Sequence, residues 1–144
     1  KKRGIAINIK SARQQKNMNE AQIKGLAGKH IEKWNNRLGF SGWKINARIT
    51  TFNRADNFPQ QGDIVVDYSK KKATILIGKE IKASVEEIVV HELVHLMLWH
   101  LDQNTLSIIK RANKIEQEKM EGNFLGKLEK AVDCITKSFM RAKK

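Results

Sequence analysis

Val85-Glu86-Glu87-Ile88-Val89-Val90-His91-Glu92-Leu93-Val94-His95-Leu96-Met97 decides how the rest of this chain is read. The run has no Gly or Pro, and neither does its continuation to Leu101. Its apolar residues fall on nearly every side of a helix. Such a helix belongs inside a small domain and not on its surface. Ser84 precedes it and Glu87 stands three residues later, the pattern of a capping box that starts a helix at Val85. Four residues separate His91 from His95, so on a helix the two imidazoles share a face, about 40° apart around the axis. Glu92 follows His91 directly. Burying such groups without partners costs on the order of 2 kcal/mol each. A metal ion is the partner this HExxH spacing suits. Two imidazoles fill half of a tetrahedral zinc shell, and the glutamate reaches a water at an open position.

Composition limits the setting. A chain of 144 residues with 40% hydrophobic content suits a single domain over residues 18–144, built around one core. The apolar run at 85–101 is too short, and too interrupted by charge and histidine, for a membrane span. No signal-peptide pattern is seen. The one cysteine, Cys134, rules out an internal disulfide framework and fits a reducing compartment, so the expected location is cytoplasmic. The net charge of +13 is concentrated at the ends. Residues 1–17 carry six Lys/Arg and no acid, and residues 137–144 carry four more. The intervening body holds 18 basic and 15 acidic residues, close to balance. Weak nucleic-acid contact through the basic tails is therefore expected, without a basic groove on the folded body. The first 17 residues are expected to be poorly ordered.

The fold class expected is α+β. Ile23, Leu26, Ala27, Ile31, Trp34 and Leu38 recur at helical spacing over residues 19–38, and Gly39 supplies a C-terminal stop. Residues 43–52 alternate, with Trp43, Ile45, Ala47 and Ile49 on one face and Lys44, Asn46, Arg48 and Thr50 on the other. Residues 53–61, with the only proline, Pro59, read as a loop. Residues 63–68 and 73–77 are two further strands joined by a turn at 69–72, which accounts for the lysine run 70–72. The HExxH helix follows, and a long glycine-dotted helix over about residues 105–140 closes the chain. The order is helix, three strands, metal helix, closing helix.

A zinc held by two histidines needs a third protein ligand if one position is to stay open. His100 lies five residues beyond His95, about 140° around a continuous helix, and reads as a helix-end or rim side chain. The acids of the last helix suit better. Glu129 and Asp133 are one turn apart in an ExxxD pattern, so Glu129 could ligate while Asp133 accepts the spare N–H of a ligand histidine. Glu121 is the alternative, because it points closer to the apolar stripe of Phe124, Leu128, Ala131 and Ile135. Glu118 is a further candidate.

HELVH followed some thirty residues later by ExxxD resembles the gluzincin branch of the zincin metallopeptidases. With the strands at Trp43-Lys44-Ile45 and Ala73-Thr74-Ile75-Leu76-Ile77, the chain looks like the small single-domain members met in phage and mobile-element genomes. The likeness spans roughly residues 20–140 and is most specific at HELVH. It implies Zn²⁺ on His91, His95 and Glu129, with Glu92 as general base for hydrolysis of a peptide or protein substrate. An extended substrate would pair with an edge strand at residues 73–77. Tyr68 and His100 are the nearby donors able to stabilise a developing oxyanion. The alternative is a zinc-binding regulatory or structural protein. It would resemble the ImmA/IrrE-like group, or the SprT-like domains that act on DNA-bound proteins, and have little general proteolytic activity.

Overall fold

The computed structural model describes residues 18–53 and 60–142. The basic segment 1–17 and most of the loop around Pro59 lie outside the described residues. The chain is α+β, with elements in the order α1 (Glu20–Arg37), β1 (Lys44–Thr50), β2 (Gly62–Asp67), β3 (Lys72–Gly78), α2 (Val85–Met97), α3 (Trp99–Ile109) and α4 (Lys114–Ala142). Contacts divide it into two compact units, one running to Glu92 and the other starting at Leu93, so the division falls inside α2. Among the described residues no helix is long and apolar enough to cross a membrane.

In the first unit, Asn19 opens α1 with a full capping box. Its side chain accepts the Gln22 N–H at 2.9 Å, and its own N–H donates to the Gln22 side chain at 2.9 Å. Ile23, Ala27, Ile31 and Trp34 form the buried stripe. Gly39, at φ +79°, turns the chain out of the helix, a conformation that glycine adopts without penalty. The strand order is β1-β3-β2, with β1 parallel and β2 antiparallel to β3. The sequence expectation of an open edge at residues 73–77 is thereby corrected: these residues form the middle strand, paired on both sides. The outer strands are β1 and β2. The hairpin turn falls at Tyr68–Lys71, with Lys71 at φ +49°. Ser69 Oγ donates to Asp67 Oδ1 at 2.8 Å, and this bond with the neighbouring Lys70 ion pair holds the exposed Asp67 carboxyl below its ordinary range.

α2 starts at Ser84, whose hydroxyl accepts the Glu87 N–H at 3.1 Å. Val85, Val89, Val90, Leu93 and Val94 have no exposed surface. Glu86 is buried with them, and its carboxylate has partners on α1. Lys33 Nζ donates at 2.8 Å, Trp34 Nε1 at 2.9 Å, and His30 Nδ1 lies 3.7 Å away, all at Glu86 Oε1. This cluster fixes the start of α2 against α1, because a buried carboxylate stays ionised only where donors replace its water.

The helices of the second unit depart from expectation in two places. The apolar run from Val85 does not continue unbroken to Leu101: α2 ends at Met97, and Leu98, at φ −91° and ψ 6°, leads into α3. The backbone ladder survives the bend, with Leu98 N–H donating to Val94 O at 3.1 Å and Asp102 N–H to Leu98 O at 2.9 Å. The closing helix is also two helices, not one from residue 105. Asn113 starts α4 by accepting the Glu116 N–H at 3.0 Å and donating from Nδ2 to Glu116 Oε2 at 2.7 Å.

Glu86→Ala removes the acceptor shared by Lys33 and Trp34. It should destabilise the fold by about 1–3 kcal/mol in urea unfolding, with Glu86→Gln losing less because its amide oxygen still accepts.

Candidate metal centre

Nearly all of α2 is buried, and what remains is a strip. Along the helix, Glu87, His91 and His95 recur at four-residue steps and are only partly buried, while their neighbours on either side are closed off. His91 and His95 therefore stand one above the other on the one face of the helix, apart from its C-terminal end, that the core does not cover. Helical periodicity sets this arrangement. The apolar residues between the two histidines hold it in place.

α4 brings the third group. His95 Nε2 and Glu129 Oε1 are 3.0 Å apart. A histidine and a glutamate pair in this way on many proteins without an ion, so the distinguishing fact is the third member. Among the described residues, His91, His95 and Glu129 each offer a ligand atom, and these atoms all lie within 4.8 Å of one another. A tetrahedral shell with bonds near 2.0 Å holds its ligand atoms about 3.3 Å apart. The three donors can thus reach a common ion with side-chain shifts of about 1 Å. Two neutral nitrogens and one carboxylate oxygen make a donor set suited to Zn²⁺, with room for one more ligand. His95 is 18% exposed in its side chain and Glu129 55%, so the group is accessible from the glutamate side.

The other third-ligand candidates do not join this group. Glu121 is engaged within its own helix, where Gln117 Nε2 donates to Glu121 Oε1 at 3.3 Å. Neither it nor Glu118 belongs to the clustered group. Asp133 lies exposed one turn beyond Glu129 on α4. His100 sits exposed in the first turn of α3, beyond the bend at Leu98, and is not one of the clustered donors. Tyr68 is in the hairpin turn, stacked edge-on against Trp43 at 5.0 Å. The length of β2, roughly 17 Å of extended chain, separates that turn from the end of the strand that meets Glu92.

Glu92 itself is buried, at 4% exposure. Its carboxylate lies against Gly62, the first residue of β2, close enough that a Cβ on Gly62 would fall 2.5 Å from Glu92 Oε1. Sequence reasoning did not pick out Gly62. Its signal was a glycine at an inward position of an alternating strand.

No protein-family model, curated protein or solved structure matches this chain.

Substitution separates the two acids weighed for the third ligand. Glu129→Ala should lower zinc content after dialysis at least about tenfold, whereas Glu121→Ala should retain it. Elemental analysis of the two variants side by side reads the outcome.

Proposed function

We propose that this chain is a zinc metallopeptidase of the zincin type, binding the metal through His91, His95 and Glu129 and using Glu92 as general base. One observation carries the reading. Of the acids in the closing helix, Glu129 is the one that reaches the histidine pair, and its spacing from HELVH is the one that suggested a gluzincin. Zn²⁺ held there would lower the pKa of a bound water toward neutrality and polarise a peptide carbonyl.

The remaining work falls to the chain. Glu92, next to His91 on α2, would take a proton from the attacking water as its oxygen bonds to the carbonyl carbon, and return it to the amine nitrogen as the C–N bond breaks. Its burial limits access of bulk water to that carboxylate. The outer edge of β2 offers an extended substrate the backbone groups of an added strand, which would displace the Gln60 side chain from Gly62 O and the Asp63 side chain from Ile64 N–H. A peptide laid along β2 passes Gly62 and so comes to Glu92, which the middle strand β3 could not arrange.

Glu92→Gln should keep its zinc, since no metal-binding residue changes. Cleavage of unfolded casein should drop at least about 100-fold. Cleavage at the wild-type rate removes Glu92 from the mechanism. A wild-type protein that holds zinc stoichiometrically and leaves casein intact points instead to the zinc-binding regulatory role.

A further inference from the structure

The inward face of the sheet is a lattice of three rows. Ile45, Ala73 and Val66 form one; Ala47, Ile75 and Ile64 the next; and Ile49, Ile77 and Gly62 the last. Eight of the nine positions carry an apolar side chain, as a core-facing lattice should. The ninth is Gly62. Its φ lies outside the left-handed region that calls for glycine, unlike that of Gly39 or Gly42. The reason for glycine here is therefore space. A Cβ at Gly62 would stand 2.5 Å from Glu92 Oε1 and 3.3 Å from Glu92 Cδ, with Ile88 Cγ2 at 2.9 Å. The nearest of these contacts, and two of the three, are with the buried carboxylate.

We infer that Gly62 is a positioning residue for Glu92: the side chain missing from β2 leaves the place that the carboxylate occupies. The inference deepens the peptidase reading and rests on it for its catalytic consequence. A glycine in a strand forgoes packing and weakens the strand. That loss has a return if the proton acceptor must lie at the edge along which a substrate backbone would run. With any side chain at 62, Glu92 has to swing off β2, while His91, His95 and Glu129 are untouched. The metal would stay and the base would move. A displacement of about 1 Å in a reacting group is enough to cost on the order of 100-fold in rate.

The test is a double-mutant cycle on the full chain loaded with Zn²⁺, comprising wild type, Gly62→Ala, Glu92→Ala and the pair together. Zinc content should be the same in all four. Gly62→Ala should lower Tm by at least about 3 °C where Glu92 is present, and by less than half as much where Glu92 is alanine. With casein as substrate, Gly62→Ala should lower kcat at least about tenfold and leave KM within about twofold. An equal Tm loss in both backgrounds overturns the inference, as does an unchanged kcat. If Gly62→Ala alone fails to fold, folding of the double variant upholds the inference and failure of both overturns it. A wild-type chain that binds zinc without cleaving casein defeats the peptidase reading alone, and the Tm cycle still decides whether Gly62 makes the place for Glu92.

Discussion

The helix α2 is closed off on almost every side and yet carries five ionisable residues within its thirteen. Desolvation sets the terms, because a polar group removed from water must find a partner or leave the core. Four of the five meet it by an ion pair or by partial exposure, and the fifth is given room within the core. Glu86 takes donors from Lys33 and Trp34 of α1. Glu87, His91 and His95 share the strip that the core leaves uncovered. Glu92 is buried against the bare Cα of Gly62. These arrangements account for the lysine and tryptophan of α1, the glycine of β2 and the glutamate of α4 that meets His95.

A consequence is that the same packing which stabilises α2 also orients its chemistry. Glu86 and the histidines lie on opposite sides of the helix, since five and nine residues carry the helix about 140° and 180° around. The ion pair with α1 therefore fixes the rotation of α2 about its axis. That rotation decides which way His91 and His95 face. Buried Leu93 and Val94 between them hold the imidazoles at a fixed separation, so little conformational entropy would be lost on closing around a ligand.

The closing region shows how local capping subdivides a long apolar pattern. Periodicity over residues 105–140 is continuous enough to suggest one helix. Asn113 and Glu116, three residues apart, offer the chain a better-satisfied start, and α4 begins there. That cap is legible in the sequence, although the periodicity running across it is the more prominent signal. The bend at Leu98 had no such signal. No glycine, proline or side-chain cap marks it, and both flanking ladder bonds are kept.

By itself the sequence determined the elements as far as Met97 and the spacing within them. Apolar recurrence set α1, alternation set the strands, and the HExxH run set α2 with its two histidines on one face. All of these follow from local geometry, because helical and extended periods are properties of the backbone. Only the tertiary structure decided which distant groups meet. Strand order made β3 the middle strand and β2 an edge, although the alternation of both is the same on paper. It also brought Glu129, the acid the ExxxD spacing favours, and neither Glu121 nor Glu118, beside His95, and it set Gly62 beside Glu92. Contacts between residues some thirty apart depend on how the chain returns through space, and no period within a single helix or strand encodes that return.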